Sequence, residues 1–298
     1  WNQSDITRVQ SALPAGCTAT WSQPRWTVNC SRVSRDSLIT FGTTTVGGGV
    51  TLEIDPDDPV PRRYFVNGRM ETGSSGMFKF NGGSWTIRDG FRLQGSASAT
   101  FGAGEYVIGS GYYSGGGFDC GGGNRYSVCV QGSGSLIFAG PSTFNFGYGI
   151  LVEGSTVTEL GAGENNYYHF GNPITTATSV AVNGSAKLRT GNISASNGFR
   201  IKGDVVTGGG SCISFGSAAQ HDVDGSMIFG GGVRLGAGDW TVNGRFALGM
   251  SGGGNVNCFG QDMSLSASDV TIVLSGKGIK SSGNCADTGV GAPAGYRN

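Results

Sequence analysis

The segment Phe199-Arg-Ile-Lys-Gly-Asp-Val-Val-Thr-Gly-Gly-Gly-Ser-Cys-Ile-Ser-Phe215 contains the pattern that decides the fold. Apolar residues stand two apart at Phe199 and Ile201 and again at Ile213 and Phe215, and a block of glycines lies between the pairs. Alternation of this kind predicts strands with one buried face, because the steps between the pairs are too short for helices. The same texture runs through the chain from about residue 37 onward.

Glycine is the most unusual feature of the composition, with 57 of the 298 residues. The glycines show no Gly-X-Y period, and 37% of the chain is hydrophobic, so the sequence predicts neither collagen nor a disordered polymer. Lys+Arg and Asp+Glu number 20 each, which is not the basic excess of nucleic-acid-binding proteins. We therefore expect no nucleic-acid partner, and no apolar run is long enough to predict a membrane span in this chain.

Internal repetition indicates how the strands are arranged. Short strands, glycine or asparagine corners and irregular repeats predict a parallel β-solenoid (β-helix) with coils of about 20 residues. About a dozen coils would then form a rod near 60 Å long. The alternative all-β fold is an antiparallel β-sandwich or jelly roll, in which the Val-Asn-Gly copies would be hairpin turns. The repeated phrases are Gly-Ala-Gly-acid at Gly102–Glu105, Gly161–Glu164 and Gly236–Asp239, and Val-Asn-Gly at Val66–Gly68, Val182–Gly184 and Val242–Gly244.

Residues 1–16 differ from the rest of the chain. Ser4 can cap a short helix there, and Ile6, Val9 and Leu13 would then lie on one side of it. The sequence therefore predicts an N-terminal helix.

A hairpin is predicted directly after that helix. Cys17 stands opposite Cys30, and Trp21 opposite Trp26, if the chain turns at residues 22–25. The helix and the hairpin together predict a cap at one end of the solenoid. The expected organisation is an N-terminal cap (1–36), a β-solenoid domain (37–288) and a C-terminal tail (289–298).

The remaining cysteines extend the disulfide prediction. Cys120 and Cys129 close a short loop, and Cys258 and Cys285 are about one coil and a loop apart, so we expect both pairs to be bonded. Cys212 and Cys258 are about two coils apart, which predicts a free Cys212. Buried free thiols are the alternative interpretation of all these cysteines. Disulfides are typical of exported proteins, and the sequence accordingly predicts an extracellular or cell-surface location.

No metal or other cofactor is predicted. The sequence contains no Cys-x-x-Cys, and its two histidines, His169 and His221, are far apart. No Gly-x-Ser-x-Gly, phosphate-binding loop or dinucleotide fingerprint occurs either.

One acid-rich segment offers candidate chemistry. Glu53, Asp55 and Asp57 would share one side of an extended segment, so a hard cation such as calcium is one candidate ligand. Carboxylates next to arginines could also act in polysaccharide cleavage. An exposed loop with solvated charges is the favoured interpretation, because prolines punctuate the segment. The residues concerned are Glu53, Asp55, Asp57, Asp58, Arg62 and Arg63, with prolines at 56, 59 and 61.

The pattern His221-Asp222-Val223-Asp224 resembles a calcium turn or a catalytic His–Asp pair. In a strand, however, His221 and Val223 would face one way and the two aspartates the other, so a corner at Asp224-Gly225 is the favoured interpretation.

Two sets of outward side chains are further candidates. The acids Glu105, Glu164 and Asp239 would either line a ladder on one face or keep the start of a strand soluble, and the second interpretation is favoured. The pairs Tyr112-Tyr113 and Tyr167-Tyr168 would either stack on sugars or fill and cover the solenoid, and again the second is favoured.

Three phrases are similar to a known family. They are Phe101-Gly-Ala-Gly-Glu-Tyr-Val-Ile-Gly109, Leu235-Gly-Ala-Gly-Asp-Trp-Thr-Val-Asn-Gly244 and Ser268-Asp-Val-Thr-Ile-Val-Leu-Ser-Gly276. Over roughly residues 95–280 the chain resembles the glycine-rich C-terminal region of TadG-like proteins of the tight-adherence (Flp) pilus group. The resemblance implies β-helical turns and a non-enzymatic role at the cell envelope or surface, with no catalytic residues to transfer.

The expected function is that of a non-enzymatic structural protein of the bacterial surface or extracellular space. It would be pilus-associated or self-assembling into filaments, with adhesion as a further role, so its partners would be copies of itself, other pilus or surface proteins, or glycans. The alternative is a polysaccharide-degrading or glycan-binding β-helix protein of the lyase or tailspike kind. Such an enzyme would draw its groups from Asp55, Asp57, Asp58, Arg62 and Arg63.

Overall fold

The computed structural model of the chain describes residues 9–10, 13–58, 60–109, 118–120, 125–161, 166–171, 178–192, 199–248, 257–259 and 263–272. These residues form β-strands and the turns between them, and none of them is helical. The described part of the chain contains no helix that could span a membrane.

The strands follow one another along the chain as short segments. The first are β1 (Val9–Gln10), β2 (Thr18–Ser22), β3 (Arg25–Asn29), β4 (Leu38–Phe41), β5 (Thr44–Val46), β6 (Thr51–Ile54), β7 (Arg62–Val66), β8 (Arg69–Thr72), β9 (Met77–Phe80), β10 (Gly83–Ile87), β11 (Gly90–Leu93), β12 (Ser98–Phe101) and β13 (Gly104–Ile108). The next are β14 (Phe118–Asp119), β15 (Arg125–Tyr126), β16 (Val128–Gly132), β17 (Ser135–Phe138), β18 (Thr143–Phe146), β19 (Ile150–Gly154), β20 (Val157–Leu160), β21 (Tyr167–Phe170), β22 (Thr178–Val182) and β23 (Lys187–Thr190). The last are β24 (Phe199–Ile201), β25 (Asp204–Thr207), β26 (Cys212–Ser214), β27 (Gln220–Val223), β28 (Met227–Phe229), β29 (Gly232–Leu235), β30 (Gly238–Leu248), β31 (Asn257–Phe259) and β32 (Met263–Ile272).

The strands wind into a parallel β-solenoid, which confirms the predicted fold. A typical coil places β7 and β8 in one large sheet, here called the first sheet, and β9 in the second sheet. Each strand then pairs in parallel with its counterpart in the next coil, as β7 does with β10 and β9 with β12. Pairing between coils instead of between consecutive strands excludes the antiparallel sandwich.

The length of the coils varies along the chain. The side chain of Arg92 reaches that of Glu71 in the adjacent coil, 21 residues earlier. The N–H of Gly104, by contrast, donates to the hydroxyl of Ser142 in its neighbouring coil, 38 residues later. The additional residues lie between β13 and β16, and those that are described form β14 and β15, which pair with each other in a separate small sheet. The insertion therefore leaves the parallel pairing of the coils on either side intact.

The N-terminal end is closed by antiparallel strands. Residues 9–10, where a helix was predicted, instead form β1, which pairs antiparallel with β5. The helix prediction is therefore wrong at these residues, because the unpaired edge of the first coil offers backbone partners to them. The rest of the predicted helix lies mostly outside the described residues.

The predicted hairpin is confirmed. In β2 and β3, Trp21 stands opposite Trp26, and a disulfide joins Cys17 to Cys30. The second strand of the hairpin pairs in parallel with β6, so the hairpin covers the edge of the second sheet and serves as a cap.

A column of stacked side chains runs through the core. Ten successive strands of the first sheet place one residue each in the same inward row, and eight of these residues are aromatic or histidine. We call these eight the aromatic ladder. Phe144 and Tyr168 show its geometry, with ring centroids 5.2 Å apart and an angle of 7° between the rings. The members are Tyr64, Trp85, Tyr106, Phe144, Tyr168, Phe199, His221 and Trp240, and all are buried.

The polar edges of the aromatic ladder bind the corners of the coils. The indole N–H of Trp240 donates to the carbonyl of Gly236, and the hydroxyl of Tyr106 donates to that of Gly102. Each acceptor is the first glycine of a Gly-Ala-Gly repeat, and each donor is the aromatic residue four positions later. The repeat is therefore a corner that its own following aromatic residue closes. Comparable bonds join Trp85 to Asn81, Tyr168 to Leu160 and His221 to Gly216.

Glycine at the start of these strands is required by the stacking of the coils. A Cβ atom on Gly104 would lie 2.1 Å from the carbonyl oxygen of Gly83 in the preceding coil. Gly83 itself has a φ of 128°, which side chains other than that of glycine rarely adopt.

The second predicted disulfide, between Cys120 and Cys129, is confirmed. It belongs to a small apolar cluster on the outside of the first sheet, where Tyr126 and Cys120 cover Leu151 and Ala181. Cys212 is also joined in a disulfide, so the prediction of a free thiol there is wrong. Cys285 lies outside the described residues, so the predicted bond between Cys258 and Cys285 stays a prediction.

Candidate functional site

The acid-rich segment does not form a single cluster. Asp55 lies at a buried corner with a φ of 47°, and its two carboxylate oxygens have separate donors. Oδ1 accepts from the backbone N–H of Cys30 at 2.6 Å, and Oδ2 accepts from the hydroxyl of Tyr64 at 2.7 Å. Burial and these contacts with Asp55 raise the pKa of the Tyr64 hydroxyl well above its usual value. Asp55 therefore links the N-terminal cap to the aromatic ladder.

Asp58 and Arg62 form a second, separate unit. The guanidinium of Arg62 lies 2.8 Å from Oδ2 of Asp58 and also donates to the carbonyls of Val33 and Ser31. Burial raises the pKa of Asp58, but the hydrogen bonds from the N–H of Val60 and from Arg62, with the charge of Arg62, outweigh it and lower that pKa. The hydrogen bonds from Arg62 to Val33 and Ser31 fasten the segment after the hairpin to the second coil, and Asp58 holds the guanidinium in place.

Glu53 points to yet another side. Its carboxylate lies on the outer face of the second sheet, 3.4 Å from Nε of Arg25 and 3.5 Å from Nζ of Lys79. Among these acids only Asp57 is exposed, so the predicted solvated loop is wrong for Glu53 and Asp55. The described residues contain no group of His, Cys, Asp or Glu side chains that could hold a metal ion.

The alternation of side chains along the strand separates the histidine from the aspartates in the pattern His221-Asp222-Val223-Asp224. His221 and Val223 are buried, whereas Asp222 is exposed on the opposite face, as predicted. Asp224 stands at the corner and binds the ammonium of Lys202 at 2.9 Å. The four residues therefore form no catalytic pair.

The predicted outward residues are only partly brought together. Glu105 and Asp239 are both exposed at the start of strands of the first sheet, several coils apart. Glu164 and the pair Tyr112-Tyr113 lie outside the described residues. Tyr168 belongs to the buried aromatic ladder, while Tyr167 points outward and is half-buried.

An open cleft lies near the N-terminal end of the first sheet, with a volume of about 420 Å³. Residues of four coils and of the segment after the hairpin contribute to it, which is why no motif in the sequence indicates it. The cleft is lined by Arg35, Asp36, Pro61, Arg62, Arg63, Gly83, Ser84, Ala103, Gly104, Glu105 and Pro141.

The cleft brings together charges of both signs. Arg35, Asp36, Arg63 and Glu105 are exposed, and in the described part of the chain none of their side chains takes part in an ion pair. Arg62, in contrast, is buried and held by Asp58, so it forms a fixed wall. Two guanidinium groups and two carboxylates are thus available to a ligand.

Three of the lining residues belong to a longer outward row. Arg63, Ser84 and Glu105 occupy the same position in consecutive coils, and Thr143 and Tyr167 continue the row. We call these five residues the polar row. It can offer hydrogen-bond donors, acceptors and one aromatic ring along the axis of the rod.

Compared with protein-family models, with curated proteins and with solved structures, the chain matches none of them.

Proposed function

We propose that the protein is a non-enzymatic structural component of the bacterial surface or extracellular space. The observation that carries this proposal is the use of its reactive side chains to hold coils together. Asp55 joins Cys30 to Tyr64, Asp58 joins Arg62, and His221 is stacked within the core. Groups that serve catalysis in other folds here stabilise a rod.

The disulfides support a location outside the reducing cytoplasm. Cys17–Cys30 closes the cap, and Cys120–Cys129 fastens the insertion to the outside of the first sheet. Bonds of this kind persist in oxidising compartments. The resemblance to TadG-like proteins supports the finer assignment to a pilus-associated surface role.

The cap bears on how the rod assembles. At the N-terminal end the hairpin pairs with β6 of the second sheet, and β1 pairs with β5 of the first sheet. The outer side of β2 has no strand partner among the described residues, so copies would associate there, through the opposite end or through their sides. Equal numbers of acidic and basic residues offer little electrostatic repulsion against such association.

Electron microscopy and light scattering of the purified protein test the proposal. We expect rods that associate into larger assemblies, or join surface partners, as the concentration rises. Particles that stay monomeric at high concentration, and that bind no isolated pilus or envelope fraction, would remove its support.

The alternative is polysaccharide cleavage by the acid-rich segment. Asp55, Asp58 and Arg62 already have structural partners, and only Arg62 and Arg63 of the candidate set line the cleft. Release of oligosaccharides from a panel of neutral and uronate-containing glycans would favour an enzyme over the structural role.

A further inference from the structure

We propose that the cleft and the polar row bind an extended, uncharged oligosaccharide that lies along the axis of the rod. This binding role goes beyond the structural function proposed above and does not depend on it. The proposal rests on the chemistry of the cleft, on the spacing of the polar row and on the pairing of the strands beneath it.

The first argument is the balance of donors and acceptors. Arg35 and Arg63 supply N–H donors, Asp36 and Glu105 supply acceptors, and Ser84 supplies a hydroxyl that does both. Sugar hydroxyls donate and accept at once, so they match such a mixed lining. A polyanionic ligand would require a cleft with excess positive charge. Here the two carboxylates balance the charges of Arg35 and Arg63.

The second argument is the distance between successive side chains of the polar row. Residues in register on adjacent parallel coils are about 4.8 Å apart. Arg63, Ser84 and Glu105 follow each other at this spacing, and Thr143 comes next. One pyranose ring adds a similar length to an extended glycan. Successive rings would therefore meet successive side chains of the polar row.

The third argument concerns the walls and the far end of the row. Pro61 and Pro141 line the cleft with rigid rings that lose little freedom when a ligand binds. Tyr167, half-buried at the end of the polar row, presents an aromatic ring. Aromatic rings of this kind stack on the apolar faces of sugars.

An extended peptide fits the cleft less well. Peptides commonly bind such sheets by adding a strand to an exposed edge. The strands beneath the cleft, β7, β10 and β13, are paired on both sides with neighbouring coils. Their backbone groups are therefore not available, and recognition must come from side chains.

The experiment titrates the full chain with cellohexaose and chitohexaose, which serve as neutral probes. NMR and calorimetry monitor the binding. Tetragalacturonate and an unstructured peptide serve as the charged and peptide comparisons. We expect saturable binding of at least one neutral hexasaccharide and no release of shorter products. Saturation by tetragalacturonate or the peptide alone would contradict the proposal.

Two variants locate the site. Arg63→Ala removes a donor and Ala103→Trp fills the cleft, and each is expected to weaken binding about tenfold or more. Lys79→Ala, which removes a positive charge from the second sheet instead, is expected to leave binding unchanged. Circular dichroism confirms that the variants are folded. Binding that is equal in all three variants, or absent for both neutral probes, would overturn the proposal.

Discussion

The imidazole of His221 lies flat on the indole of Trp240, with ring centroids 3.8 Å apart and an angle of 8° between the rings. The two residues occupy neighbouring coils in the aromatic ladder. Nε2 of His221 is 3.1 Å from the carbonyl oxygen of Gly216, and the side chain is fully buried. Burial lowers the pKa of His221 to about 4, although hydrogen bonds with the backbone of Gly216 and Asp239 oppose the shift.

The first prediction is a loss of stability in mild acid. In the unfolded chain histidine titrates near 6.5, so protonation favours unfolding as the pH falls from about 6.5 to about 4. The contribution of His221 is therefore fully present above pH 6.5 and is lost by about pH 4, at a cost of roughly 3 kcal/mol. Urea unfolding at a series of pH values measures it.

His221→Phe serves as the comparison for this prediction, because it keeps a stacked ring without a titrating group. We expect the free energy of unfolding of this variant to depend less on pH between 4 and 6.5. Parallel pH profiles for the two proteins would show that His221 is not the group responsible.

The second prediction concerns the corner bonds of the aromatic ladder. Tyr106→Phe keeps the ring but leaves the carbonyl of Gly102 without its donor. We expect a loss of about 1–2 kcal/mol in the free energy of unfolding. Tyr167→Phe, at an outward position, is the matched control and should change stability by less than about 0.5 kcal/mol. Equal effects in urea unfolding would argue against the bond as a stabilising contact.

The third prediction separates the two roles given to the acid-rich segment. Asp55→Ala leaves the N–H of Cys30 and the hydroxyl of Tyr64 without an acceptor. Because both are buried, we expect a loss of about 2–4 kcal/mol, while Asp55→Asn loses less, since asparagine also tolerates positive φ. Asp57→Ala changes an exposed residue and should be nearly neutral. Thermal unfolding distinguishes these outcomes, and a harmless Asp55→Ala would contradict a structural role.

The fourth prediction identifies the partner of Cys212. In the second sheet Cys212 stands opposite Gly232 in the next coil, and Cys258 stands one coil further, opposite Arg234. Two coils separate backbones by about 9.6 Å, whereas a disulfide needs Cα atoms within about 7 Å. Cys258 is therefore too far away, and we expect Cys285 to be the partner.

The other four cysteines leave no further candidate, because they are already paired with one another. Mass spectrometry of a non-reduced digest should find the peptide of Cys212 linked to that of Cys285, in place of the Cys258–Cys285 bond that the spacing in the sequence predicts. A Cys212–Cys258 link would show that the strand register is wrong.

The fold was predictable because its cause is local. Alternation such as Phe199 and Ile201 gives each strand a buried face, and glycines such as Gly104 allow coils to approach closely. The hairpin was predictable for the same reason, since Cys17 and Cys30 are brought together by a short turn.

Other features depend on contacts between coils and could not be derived from the sequence. Residues 9–10 form a strand because a distant edge, β5, is available to pair with them. Asp55 is buried because donors from Cys30 and Tyr64 converge on it, and charge alone suggests the opposite. The cleft joins residues from several coils, so its lining has no continuous signature. The Gly-Ala-Gly-acid phrase was visible as a repeat in the sequence, but the hydrogen bond to its following aromatic residue became evident only in three dimensions.

The stacking of the coils can be tested most directly by cross-linking. Ser98 and Ser135 are 37 residues apart in the sequence, yet their hydroxyl oxygens lie 3.3 Å apart on adjacent coils of the second sheet. With a mild oxidant, the double variant Ser98→Cys/Ser135→Cys should form the new disulfide rapidly and in nearly full yield. The control Ser98→Cys/Val157→Cys spans two coils and should not cross-link. Equal cross-linking of both pairs, or efficient cross-linking of the control alone, would contradict a solenoid of coils stacked in this register.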